Sequence, residues 1–162
     1  MLTQLEVQAR QWVTANWQAN LGAITHVEVN PGLAAGCPAM NKFLTGHNNV
    51  PAAVQASGFF AWHGTSEAAI PLICNAGFDP RRRSGQAYGP GEYFGATSQV
   101  SSGYTKGSNR MLVVRLLNVP GVTTIHANSI IVVNNPIDFQ TAFALPLLVI
   151  TYGKPHTPIP FI

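Results

Sequence analysis

The residues whose types and spacing could do chemistry begin at His63. This imidazole ends the apolar run Gly58-Phe59-Phe60-Ala61-Trp62 and is followed by Gly64, Thr65 and Ser66. That order puts an imidazole, free backbone N–H groups and a helix start in one small volume, a setting for a polar or anionic ligand. Gly64 has no side chain to keep a ligand away, so its N–H and C=O could read an amide group. The alternative is a core histidine beside two hydroxyls that only cap a helix. A second group follows in Gly89-Pro90-Gly91-Glu92-Tyr93-Phe94, Ser101 and Tyr104. Ser101 and Tyr104 are three apart and share a face if helical. A hydroxyl beside a flat ring suits a planar heteroaromatic carboxamide, and Tyr93 could supply a second ring. Both tyrosines could equally be core aromatics with wet tips.

Acidic chemistry is limited by supply. Charged residues make up 9% of the 162 residues, against about 25% in ordinary soluble domains. The carboxylates are Glu6, Glu28, Glu67, Asp79, Glu92 and Asp138, no two of them close in sequence. This argues against a paired-carboxylate glycosidase or an EF-hand. The net charge of +3 comes with one basic cluster, Arg81-Arg82-Arg83, and no basic stripe, which disfavours a dedicated nucleic-acid binder. Cys37 and Cys74 form no CxxC, and His26, His47, His63, His126 and His156 are widely spaced. No metal site is expected. The first twenty residues lack a signal-peptide core, and no apolar run is long enough to span a bilayer. An intracellular, soluble chain without membrane association is the expectation.

The elements that must position these groups fit one domain. Leu2, Leu5, Ala9, Trp12, Val13 and Trp17 form an apolar stripe, and Thr3 with Glu6 has capping-box spacing, which predicts a helix over 3–20. A strand over 24–29 follows, then a short helix over 38–44 and a loop over 46–50. The run to His63 reads as a buried strand, and residues 67–75 as a helix capped by Ser66 and closed by Gly77. Residues 78–91 form a loop long enough to be functional. Then come a short strand over 92–94, a helix over 98–106, strands over 110–117, 121–125, 129–133 and 145–152, and a Pro-rich tail over 153–162. Early helices and late strands on short turns predict an α+β fold with largely antiparallel sheet.

Taken in order, Trp62-His63-Gly64-Thr65, Gly77-Phe78-Asp79-Pro80-Arg81, Gly89-x-Gly91-x-Tyr93-Phe94 and Ser101-x-x-Tyr104 resemble the catalytic domain of the poly(ADP-ribose) polymerase-like ADP-ribosyltransferases. Val27-x-Val29-Asn30-Pro31-x-Leu33 resembles the strand and turn ahead of that family's site, so the likeness spans about residues 5–152. RNA 2′-phosphotransferases also carry His-Gly-Thr, but the later elements favour the polymerase-like branch. The resemblance implies a split, largely antiparallel β-sheet core with helices packed on it, and NAD as a consumed substrate. By the same resemblance His63 bonds a ribose hydroxyl of NAD, Gly64 binds the nicotinamide amide and Thr65 lies near the adenosine ribose. Ser101 bonds the carboxamide, Tyr104 stacks on nicotinamide and Tyr93 closes the opposite side. The 78–88 loop covers the dinucleotide, with Arg81, Arg82 and Arg83 either near the pyrophosphate or on a solvated loop tip.

The family's catalytic glutamate, near the start of a late strand, aligns with Ile130, or with Ser129 if the register slips by one. Neither is acidic, and Glu92 is a weak substitute because strand alternation points it away from Tyr93. Nicotinamide departure can still be accelerated by positioning, while a missing base costs about 10²- to 10⁴-fold. An acceptor already ionised at neutral pH avoids that loss. The expectation is a monomeric, NAD-dependent mono-ADP-ribosyltransferase, a glycosyltransferase acting on a protein or on a nucleic-acid phosphate. An NAD glycohydrolase and a catalytically silent module binding NAD or a partner are the alternatives.

Overall fold

A computed structural model describes residues 2–161. Helix α1 (Leu2–Asn16) leads into strand β1 (Ile24–Val29), helices α2 (Pro38–Asn48) and α3 (Ala52–Gln55), and strand β2 (Phe59–His63). After α4 (Ala69–Ala76) come β3 (Glu92–Gly95), α5 (Ser98–Ser102), β4 (Arg110–Leu116), β5 (Thr123–Ile125), β6 (Ile130–Val133) and β7 (Ala144–Tyr152). The seven strands form one sheet in the order β1-β7-β4-β2-β3-β6-β5, every neighbour antiparallel. The α+β, largely antiparallel expectation holds. The sheet is nearly divided, because β2 and β3 share a single residue pair, Trp62 with Gly95.

All nine residues of β7 are buried, which requires cover on both faces of the sheet. Helix α1 lies against β7 from one side, with Trp12 and Trp17 packed on Trp62 at ring separations of 4.7 and 5.6 Å. Helices α2 and α4 pack on each other and on β7 from the other. Among the described residues no helix is long and apolar enough to cross a membrane.

Several expected boundaries move, and tertiary contacts account for two of the shifts, at Gln18 and at Gly46. The helix expected over 3–20 already includes Thr3 and stops at Asn16, so Thr3 is no capping-box N-cap. Gln18 is extended there because it is held by α5: its N–H donates to Ser98 Oγ at 3.1 Å and its Oε1 accepts the Gln99 N–H at 2.6 Å. A separate 3-10 turn covers Ala19–Leu21. The 46–50 loop is shortened because α2 runs to Asn48 through Gly46, where any side chain would strike the Ala142 carbonyl. That glycine serves close packing and not a turn. The short helix α3 was not foreseen.

Helix α4 begins at Ala69, and Ser66 contributes its backbone carbonyl to the Ala69 N–H instead of a side-chain cap. The helix expected over 98–106 ends at Ser102, and the chain then turns through positive φ at Lys106 and Gly107. Of the expected tail, residues 153–161 carry no helix or strand, and Ile162 lies outside the described residues.

Trp62 is fully buried beneath Trp12 and Trp17. Trp62→Ala should cost about 3–5 kcal/mol of unfolding free energy by urea titration, whereas Ile137→Ala, at a position 78% exposed, should stay within about 0.5 kcal/mol of the parent.

Candidate functional site

Beyond Trp62 the ladder between β2 and β3 stops, and the diverging strands open one side of a cavity of about 620 Å³, within the range of small-molecule sites. His63, Gly64, Thr65, Arg81, Tyr93, Ser101, Tyr104 and Ile130 all line it. Residues expected from five separate sequence segments therefore meet at one place.

His63 bridges the gap where the backbone pairing ends. Its Nδ1 lies 2.7 Å from the Tyr93 carbonyl oxygen, which can only accept, so Nδ1 carries the proton and neutral Nε2 is a bare acceptor. Phe78 meets the ring edge-on at 4.8 Å and Phe94 lies at 5.3 Å. Removal from water between these rings pushes the His63 pKa down to about 4, against the smaller opposing pull of the Tyr93 carbonyl. The side chain is thus a neutral hydrogen-bond acceptor at physiological pH.

Gly64 and α5 interlock. A side chain at Gly64 would strike the Ser101 carbonyl, and one at Gly95 would strike Ser101 Oγ. Both glycines let α5 sit against the ends of β2 and β3. The Gly64 N–H and C=O and the Ser101 hydroxyl have no hydrogen-bond partner among the described residues. Ser101 is buried, while Tyr104, past the end of α5 and tied by its N–H to the Ser101 carbonyl at 3.0 Å, is 55% exposed. The i, i+3 spacing brings both to the cavity even though only Ser101 is helical. The wall thus offers two donors, one acceptor and an open aromatic face, a set that suits a planar carboxamide.

Tyr93 also lines the cavity, but its hydroxyl is engaged: it accepts the Tyr88 N–H at 2.7 Å and donates to the Gly89 carbonyl at 2.7 Å. These bonds fold the 85–91 segment onto β3. The three arginines separate in role. Arg81 is held by Asp79, which accepts its Nε and Nη2 at 3.0 and 2.8 Å, yet its side chain stays 80% exposed at the cavity. The Arg81 guanidinium in turn keeps the Asp79 carboxyl below the usual carboxylate range. Arg82 is also exposed. Arg83 is buried in an ion pair with Glu92 and donates to the Asn135 carbonyl at 2.9 Å.

That ion pair changes the reading of two residues. Arg83 is a strut between loop and sheet, and Glu92, which also accepts from Asn135 Nδ2 at 2.7 Å, is committed to it. Of Ile130 and Ser129, Ile130 lines the cavity, whereas Ser129 sits before β6 at φ 67° and does not. Lys106 and Phe139 line the cavity unforeseen. Gly107 was the only sequence signal that the chain turns at Lys106, and Phe139 had none. No protein-family model matches the chain, and no curated protein matches it.

Two outcomes follow from this geometry. The His63 ring signals, followed by NMR, should not titrate until near pH 4. Because the unfolded chain takes up that proton near 6.5 and the folded chain does not, the contribution of His63 to stability should fall as pH drops from about 6.5 to 4. Arg83→Met leaves the Glu92 carboxylate buried without its cation and should cost about 3–5 kcal/mol in urea unfolding, part of it regained on adding Glu92→Gln.

Proposed function

We propose that the chain is an NAD-dependent mono-ADP-ribosyltransferase with an ADP-ribosyltransferase-type fold. The observation that carries the reading is the unpaired set on the cavity wall: Gly64 N–H and C=O beside the Ser101 hydroxyl, with the exposed Tyr104 ring at the same wall. A nicotinamide carboxamide has the matching inventory, one oxygen to accept and an NH₂ to donate, on a flat ring. Ser101 Oγ and Gly64 N–H donate to the amide oxygen, Gly64 C=O accepts from the NH₂, and Tyr104 offers its face for stacking.

His63 then has a defined part. Its bare Nε2 accepts from a ribose hydroxyl, and its low pKa keeps it an acceptor through the neutral range. The exposed cations Arg81 and Arg82, with Lys106, make the cavity favourable to pyrophosphate. In the reaction the bond between nicotinamide and ribose C1′ breaks, its electron pair leaves with nicotinamide, and an acceptor oxygen forms the new bond at C1′. Binding nicotinamide through its carboxamide holds the leaving group in place while charge develops on the ribose.

Proton abstraction is the step for which the cavity has least provision. Ile130 presents hydrocarbon where the family keeps a glutamate, and Glu92 is occupied by Arg83 and Asn135. A carboxylate or phosphate acceptor arrives without a proton to lose, so a single transfer to such a group is favoured over chain growth through a ribose hydroxyl.

Incubating the chain with NAD labelled in its adenylate half should yield free nicotinamide and label attached to protein or RNA. Nicotinamide with only free ADP-ribose would make water the acceptor and the chain a glycohydrolase. Absence of nicotinamide release while calorimetry detects NAD binding would make it a silent binding module. Ser101→Ala should weaken NAD binding by about three- to tenfold, the worth of one neutral hydrogen bond, and His63→Ala should reduce turnover further.

A further inference from the structure

A second group of ligating side chains lies away from the cavity. His26 and Glu28 stand two apart on β1 and so share one side of the strand. His156 comes from the segment after β7, and one ligand atom from each of the three lies within 4.8 Å of the others. The imidazoles are stacked, with centroids 3.7 Å and planes 24° apart. The expectation of no metal-ligand cluster came from how widely the histidines are spaced. Pairing of β1 with β7, with His26 opposite Thr151, and the turn at Gly153 (φ 70°) bring residues 130 positions apart together.

Glu28 differs from the other carboxylates. Glu6, Glu67, Asp79 and Glu92 each pair with arginine, and Asp138 accepts the Gln140 N–H. Among the described residues Glu28 has neither an ion pair nor a hydrogen bond, and its Oε2 is buried. No ion pair joins it to either imidazole, although the ligand atoms of all three lie within 4.8 Å of one another. A buried carboxylate oxygen without a donor is costly, and two imidazoles, common ligands of transition metals, stand beside it.

We propose that His26, Glu28 and His156 bind a divalent transition cation of the zinc class, through two ring nitrogens and one carboxylate oxygen, with a fourth position open to water. Two imidazoles favour such a borderline ion over the oxygen-seeking Mg²⁺ and Ca²⁺. Bonds of about 2.0–2.2 Å in a tetrahedron bring ligand atoms to about 3.4 Å. The group must therefore close from within 4.8 Å by up to about 1.4 Å, and His156, on a segment without regular structure, can supply that movement. Its Nδ1 lies 3.4 Å from Thr151 Oγ1, which also accepts from Arg110 Nε at 3.2 Å. Such an outer contact fixes one ring nitrogen and leaves the other for the metal. None of the three residues lines the large cavity, so the ion acts as a clamp. It would fasten the C-terminal segment to the edge strand β1, beside the Thr25 Oγ1 bond to the Lys154 carbonyl at 2.6 Å.

Equilibrium dialysis of the full chain against micromolar Zn²⁺, followed by elemental analysis, should find one zinc per chain. The thermal midpoint should rise by several degrees, with no rise from equal Mg²⁺ or Ca²⁺. Glu28→Gln and His156→Ala should each weaken zinc binding at least tenfold while keeping the parent's far-UV circular dichroism. Absence of bound zinc, or binding that survives both substitutions, would overturn the proposal. Should either variant fail to fold, Co²⁺ in the unaltered chain gives the answer. A tetrahedral cobalt spectrum without thiolate charge transfer supports the site, and a thiolate band would place the metal on Cys37 or Cys74 and refute it.

Discussion

The backbone pairing of Trp62 with Gly95 joins two parts of a sheet that otherwise separate, and the cavity exists because that pairing goes no further. One residue on, the His63 side chain takes over the bridging, reaching the Tyr93 carbonyl that the ladder no longer uses. Gly95 can occupy the junction because Ser101 fills the space a side chain would need, and Gly64 does the same against the Ser101 carbonyl. Substitutions at Gly64, Gly95 or Ser101 therefore disturb the join and the cavity wall together. Binding groups and structural groups are the same atoms here.

Charge scarcity has a structural counterpart. With so few ions, the chain uses its most buried pair, Arg83 with Glu92, to fix the loop beside the cavity to β3 and to Asn135. Buried pairs are weak evidence for net stability, but breaking one is severe because the survivor keeps its desolvation cost. The loop is thereby held at one end by Arg83 and at the other by Tyr93, whose hydroxyl bonds the backbone at Tyr88 and Gly89. Arg81 and Arg82, between Asp79 and that anchor, stay in water.

The parts of this arrangement legible in the sequence were local ones. The apolar run ending at His63, the Gly-Pro-Gly turn before Tyr93 and the Ser101-to-Tyr104 interval each point to the cavity through a short-range pattern. The strands of the later half were readable from apolar runs and turn residues. What was not legible depended on contacts distant in sequence. Gly46 looks like a helix breaker until the Ala142 carbonyl appears behind it, and Gln18 ends α1 because α5 claims it. Arg83 and Glu92 are nine apart with nothing local to pair them, and His26 and His156 meet only through the β1–β7 register.

The position of β7 has a consequence for how the molecule is made. Among the described residues it is the last strand in sequence, yet it lies between β1 and β4, and it is the only one of them to which β1 is bonded. During synthesis the first strand must wait for more than a hundred residues before its partner leaves the ribosome. Until then the apolar faces of α1, α2 and α4 lack the part of their cover that β7 supplies. Pairing so remote in sequence is slow, because loop closure precedes any gain from contact. Until β7 emerges the nascent chain leaves those helix faces only partly covered, and that interval is when it most needs protection from aggregation.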